Sequence, residues 1–169
     1  MRLTVTGHGT LGYLADDGCV GDGLGYRGGD NVLHIGSFWA GTGVLYVCNR
    51  DFPGTELDPG VMEWRKSTAP DGGVRELDVP GPDQAFFAAF NDSGHAAPKP
   101  LLVEQTSLAF ALPRDDRFVV LQYRLINQGP ISLPELHTGV FCDFDIGSSI
   151  SNRGATDATR NLTYIYREG

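Results

Sequence analysis

Apolar side chains recur at every second position in short runs, and turn-forming residues separate the runs. Between Phe118 and Asn127, Val119, Leu121, Tyr123 and Leu125 alternate with Val120, Gln122, Arg124 and Ile126. A pleated strand points successive side chains to opposite faces, so the first set predicts an apolar face. Asn127-Gln128-Gly129-Pro130 then breaks the ladder with a flexible residue and one that lacks a donor. A second run starts near Leu136. Leu136, Thr138, Val140, Cys142, Phe144 and Ile146 fall on one side, and His137, Gly139, Phe141, Asp143 and Asp145 on the other. Residues 118–147 therefore predict two strands joined by a polar turn, with two aspartates where the second strand runs out.

The same pattern predicts further strands. Leu3 to Thr6 is a short one, and Asn31 to Phe38 has strand character, with Trp39 to Gly43 expected to turn the chain. Val44 to Cys48 is rich in β-branched and aromatic residues. A short strand is expected over Val61 to Arg65, where Trp64 reads as a core anchor. Gln84 to Asn91 is a short apolar run compatible with helix or strand, and its neighbours favour strand. Leu102 to Leu112 alternates over a long stretch, and Arg114-Asp115-Asp116-Arg117 reads as the turn into Phe118. Ser148 to Asp157 reads as a polar loop, and Asn161 to Tyr166 as the last strand. Short strands divided by turns, with no convincing helix, predict an all-β fold: an antiparallel β-sandwich of the large or super-sandwich type.

Composition sharpens this reading. The 169 residues include 23 glycines and 10 prolines, which argues for long glycine- and proline-rich loops, above all over residues 51–83. The length suits one domain, so 1–169 is expected to be a single β-sandwich domain, excised from a longer chain. Gly7-x-Gly9-x-x-Gly12 and Gly23-x-Gly25-x-x-Gly28 match a dinucleotide fingerprint by spacing, but no helix pattern follows either. Turns and bulges are the expected role of these glycines.

The net charge of −8 repels phosphate backbones, so nucleic acid is not an expected partner. No apolar stretch approaches a membrane-spanning length, so no membrane insertion is expected. The three cysteines, Cys19, Cys48 and Cys142, form no CxxC pair, and an odd count is compatible with three thiols or with one bridge and one thiol. No basic-then-apolar leader opens the chain; this fits a cytosolic protein and equally a domain cut from a secreted one.

The candidate chemistry is acidic. Asp143 and Asp145, followed by Ser148, Ser149, Asn152 and Asp157, offer the oxygen donors that Ca²⁺ takes in sets of six to eight. The expected metal ligands are Asp143, Asp145, Asn152 and Asp157, without the spacing of an EF-hand. A rival reading pairs Asp143 or Asp145 with Glu104 or Glu135 in a glycosidase-like acidic cleft. Glu135-x-His137 is not the zincin motif, and no GxSxG elbow occurs. Asp16, Asp17, Asp22 and Asp30 form a second acidic region that reads as turn residues. No catalytic residue and no organic cofactor is assigned.

A resemblance adds to this. Gly25-Tyr26, Asn31-Val32-Leu33, Gly36-Ser37-Phe38-Trp39, Phe90-Asn91-Asp92, Val103-Glu104-Gln105-Thr106, Phe118 to Tyr123, Asn127-Gln128-Gly129 and Asp143-Phe144-Asp145-Ile146-Gly147 occur in an order that resembles a β-sandwich region of large bacterial secreted or cell-surface proteins. Some of those proteins carry subtilisin-like protease domains or C-terminal sorting domains. The resemblance implies an extracellular or cell-surface accessory module. Its expected partners are neighbouring domains of the same protein and a glycan or protein ligand. The alternative expectation is a carbohydrate-active enzyme or a carbohydrate-binding domain.

Overall fold

The computed structural model describes residues 1–13, 21–50, 62–68, 72–147 and 149–167. Cys19, Asp16, Asp17, Ser148 and the loop prolines Pro53, Pro59 and Pro70 lie outside the described residues. The strands are β1 (Arg2–Leu3), β2 (Thr10–Leu11), β3 (Leu24–Gly25), β4 (Leu33–Thr42), β5 (Tyr46–Cys48), β6 (Arg65–Lys66), β7 (Arg75–Glu76), β8 (Gln84–Asn91), β9 (Leu101–Ala109), β10 (Val119–Asn127), β11 (His137–Phe144), β12 (Asn152–Asp157) and β13 (Leu162–Arg167). A 3₁₀ turn, Ser149–Ser151, precedes β12. The fold is all-β, and among the described residues four antiparallel sheets form, none of them closed.

The two larger sheets share one core. One sheet runs β10-β9-β8-β6, with β7 also on β8; the other runs β11-β4-β2, with β5 also on β4. Alternation selects which side chains enter. From β4 and β5 come Phe38, Ala40, Tyr46 and Cys48; from the facing sheet come Phe90, Leu101 and Val103, with Tyr123 and Leu125 packed against them. Phe38 is the hub of the rings. It stacks on Tyr123 at 4.4 Å and meets Phe90 at 6.0 Å and Trp64 at 5.9 Å. Trp64 is fully buried, and its indole N–H donates to the Phe38 carbonyl at 2.8 Å, so a large apolar body is buried without an unmet donor. Burying each of these rings contributes about 2–3 kcal/mol.

Several elements differ from the sequence pattern for identifiable reasons. β4 does not turn at Trp39 but runs on to Thr42, because Phe38 and Ala40 pack inward and Gly41 lets the β5 backbone approach: a Cβ there would lie 3.0 Å from the Tyr46 carbonyl oxygen. The turn is displaced to Gly43–Leu45, leaving Val44 and Leu45 almost fully exposed. Asn152 to Asp157, expected as loop, is a strand paired with β13. The expected strand near Val61 reduces to a bridge between Arg50 and Met62 and the short β6 ladder, and Val61 lies outside the described residues. The run Gln84 to Asn91 is β8 over its whole length.

The first glycine-rich match has a structural role. β2 lies inside it, and Gly9, with φ of +77°, places its backbone over Phe90, where a Cβ would come within 2.9 Å of the ring. Glycine satisfies both the backbone angle and the close approach.

Candidate functional site

The site expected at the end of β11 begins from strand pairing. β11 lies antiparallel to β4, with Gly139 opposite Trp39, Phe141 opposite Ser37 and Asp143 opposite Ile35. The register then shifts between Asp143 and Phe144, so that Phe144 pairs with Leu33 and His34 is the extra residue of a bulge. Asp143 is exposed on the face turned away from the core. Asp145 follows the strand, is half-buried, and donates its backbone N–H to the Val32 carbonyl at 3.0 Å.

Asn152 closes the loop that follows. Its Oδ1 accepts from the Ile146 N–H at 3.2 Å, and its Nδ2 donates to the Phe144 carbonyl at 3.0 Å and to Asp145 Oδ1 at 3.4 Å. The amide thus ties the start of β12 to the end of β11. Asp157 lies at the other end of β12, five residues further, or about 16 Å along an extended strand. Its Oδ1 accepts from the N–H groups of Thr159 and Arg160, and its Oδ2 pairs with the Arg160 guanidinium at 3.1 Å. It caps the β12–β13 turn. The structure therefore brings Asp145 and Asn152 together and places Asp157 apart. Among the described residues no group of three or more His, Cys, Asp and Glu side chains is placed to hold a metal ion.

The carboxylates proposed as glycosidase partners do not meet either. Glu104 lies on the outer face of the other sheet and pairs with Arg124 at 2.9 Å, its neighbours Val103 and Gln105 pointing inward. Asp143 lies on the outer face of the β11-β4 sheet, so the shared core separates the two. Glu135 sits in the β10–β11 connection with φ of +52°.

A polar cluster that the sequence pattern does not reveal lies inside the molecule. Asp92 is 1% exposed, and its carboxylate accepts from the Tyr46 hydroxyl at 2.8 Å, the Leu101 N–H at 3.0 Å and the Lys99 N–H. Beside it, the His95 ring lies 4.8 Å from that of Tyr46 and its Nε2 is 3.6 Å from Glu63, whose other oxygen accepts from the Asn49 N–H. Burial, then the hydrogen bond to Asp92, raises the Tyr46 phenol far above its ordinary range. Burial, then the negative charges of Glu63 and Asp92, raises the Cys48 thiol likewise. A thiol held protonated is a poor nucleophile, and the Asp92 and Glu63 carboxylates beside it accept from backbone N–H groups and the Tyr46 hydroxyl. The only hint in the sequence is an aspartate in the Asn91-Asp92-Ser93-Gly94 turn.

Cys48 and Cys142 are free thiols, Cys48 buried and Cys142 half-buried. No helix among the described residues is long and apolar enough to cross a membrane. Searches for family models, curated proteins and solved structures similar to this chain find no match.

Proposed function

We propose that this chain is a non-catalytic β-sandwich module of a larger secreted or cell-surface protein, acting by binding or by scaffolding its neighbouring domains. The observation that carries this reading is the division of labour among the side chains. Groups with catalytic potential that lie close together, Asp92, Tyr46, Cys48, His95 and Glu63, hold backbone and rings in place. The apolar groups that remain uncovered lie on edges, loop tips and an open hairpin. Val44, Leu45 and Ile131 are at least three-quarters exposed, and the Thr42 hydroxyl on the Pro134 carbonyl ties their two loops to one end of the molecule. The β12–β13 hairpin pairs with no other sheet among the described residues and exposes Leu162, Tyr164 and Tyr166. A two-stranded hairpin is marginal in water alone, and exposed apolar patches mark contact surfaces.

The calcium clause of this reading rests on Asp143 and Asp145. The Asn152 amide and both oxygens of Asp157 have partners, whereas Asp145 gives only Oδ1 to a long contact with Asn152, so a Ca²⁺ at this rim would fall to Asp143 and Asp145 with main-chain carbonyls and water. Titrating CaCl₂ and then EDTA against the melting temperature tests it; a midpoint that ignores both removes the clause. The module reading as a whole is tested by incubation with a panel of polysaccharides. Turnover that disappears in Asp145→Asn would replace it with the acidic-cleft enzyme.

A further inference from the structure

We infer that the outer face of the β11-β4-β5 sheet is a binding platform for an extended, neutral polysaccharide. This inference rests on the module reading and names its ligand.

The platform is built by pairing. Trp39 on β4 and Phe141 on β11 point to the same outer face, with ring centroids 5.8 Å apart and planes tilted by 34°. They are 37% and 46% exposed. Val47, opposite Gly41 on β5, extends the same face and is 42% exposed. Gly139 lies opposite Trp39, and a Cβ there would meet nothing within 4 Å, so no side chain stands in front of the ring from that side. Two hydrogen-bonded strands hold both rings, so the arrangement exists before any ligand arrives.

Ser37, opposite Phe141 on this face, is buried and its hydroxyl accepts from the Arg50 N–H, whereas the exposed polar groups of the face are unengaged. Asp143 and His137 are exposed at opposite ends of it. Among the described residues, neither side chain makes a hydrogen bond or an ion pair, and nor does the indole N–H of Trp39. This contrasts with Asp145, Asn152, Asp157 and Glu104, all of which have partners. The face therefore combines two ring surfaces, an acceptor-only carboxylate and a donor-only indole.

That combination selects the ligand. A hydroxyl donates and accepts, so one kind of ligand group meets both the carboxylate and the indole N–H. A pyranose presents such hydroxyls around its rim and C–H groups on its faces, which suit an aromatic surface. Trp39, Phe141 and Val47 are exposed along three neighbouring strands, which fits successive sugars of a chain rather than one enclosed terminal residue. Charge narrows the class: Asp143 on a chain of net charge −8 repels uronate and sulfated glycans. A purely apolar partner would leave the carboxylate and the imidazole desolvated without partners.

The test is affinity gel electrophoresis of the whole chain in soluble neutral β-glucans, xylan and mannan, with calorimetry on the matching hexasaccharide. Retardation by at least one polymer is expected. Trp39→Ala and Phe141→Ala should each weaken it at least tenfold, while Leu112→Ala, at a side chain 63% exposed in the β9–β10 connection, leaves it unchanged. All three side chains are exposed, and circular dichroism melts within a few degrees of the parent confirm that the variants fold. Should Phe141→Ala fold poorly, Trp39→Gln carries the same expectation. No retardation across the panel overturns the platform and leaves the scaffolding role standing. Retardation that survives both ring substitutions also overturns it, since the sugar then binds elsewhere. Cleavage of a retarding polymer overturns the non-catalytic reading and leaves the platform in place.

Discussion

Replacing Asp92 tests the interior network most directly. The buried carboxylate meets three donors: the Tyr46 hydroxyl, the Leu101 N–H and the Lys99 N–H. Asp92→Ala leaves the first two buried and unmet and the third partly so. An unmet buried donor costs about 1–3 kcal/mol, which gives a gross loss of about 4 kcal/mol. Relief from holding a charge out of water returns part of it, for a net loss of about 3 kcal/mol. At about 2–4 °C per kcal/mol for a domain of this size, the melting temperature falls by roughly 10 °C. Asp92→Asn keeps the shape but turns an N–H₂ toward a backbone N–H whichever way the amide lies, and costs about 2 kcal/mol. The sharper test is a cycle with Tyr46→Phe. In the parent, losing the hydroxyl costs about 1 kcal/mol. With Ala at position 92 the hydroxyl is an orphan, and removing it becomes neutral or stabilising. Urea unfolding of the four proteins measures this. An Asp92→Ala protein melting within about 2 °C of the parent, or a Tyr46→Phe cost that is equal in both backgrounds, would refute the reasoning.

Burial raises the Tyr46 and Tyr123 phenols and the Cys48 thiol, while in the unfolded chain these groups ionise near their ordinary values of about 10 and about 8.5. Their contribution to stability is thus fully present below those values and declines as pH rises through them, by about 1.4 kcal/mol per pH unit per group in urea titrations; a flat alkaline limb would be inconsistent with it. By the same burial, a thiol reagent should label Cys48 only on unfolding, which mass spectrometry with and without urea reads directly. Gly9→Ala should cost about 2–4 kcal/mol, because it combines a positive φ with a methyl 2.9 Å from the Phe90 ring; a loss below about 1 kcal/mol would mean the turn relaxes freely. Asn152→Ala should cost about 1–2 kcal/mol, with hydrogen exchange accelerated at Ile146 and hardly changed in β8 and β9.

The strands that were legible are those with one wet and one dry face. β9 and β10 alternate because Leu101, Val103, Tyr123 and Leu125 pack into the shared core while Glu104 and Arg124 pair outside. β8 was legible only from its neighbours, because Ala88, Ala89 and Phe90 are buried in succession and its apolar run carries no alternation. β12 was not legible, because both of its faces meet water: Asn-Arg-Gly-Ala-Thr-Asp has no apolar side to repeat, and pairing with β13 alone makes it a strand. The extent of β4 was hidden differently. Gly41 and Gly43 look alike in sequence, but one admits a neighbouring backbone inside the ladder and the other, with φ of +61°, makes the turn. The Trp39–Phe141 platform could not be read at all, since it exists only through the register that sets Gly139 opposite Trp39.

The residues after β11 show why donor composition alone does not define a metal site. Asn, Asp and Ser are common ligands for a hard cation, and they are equally the residues whose short side chains meet nearby backbone N–H groups in turns. Which role each takes depends on whether a backbone donor comes within about 3 Å. At Asp157 two do, from Thr159 and Arg160, and the carboxylate closes a turn. At Asn152 the Ile146 N–H does, and the amide closes a loop. At Asp143 none does among the described residues, because its strand partner is Ile35 at the edge of the bulge and its side chain points outward. The aspartate without local backbone to serve lies on the same face as the exposed rings of Trp39 and Phe141, and Asp143→Asn, which leaves every hydrogen bond of the turn after β11 in place, should leave the melting temperature within about 2 °C of the parent.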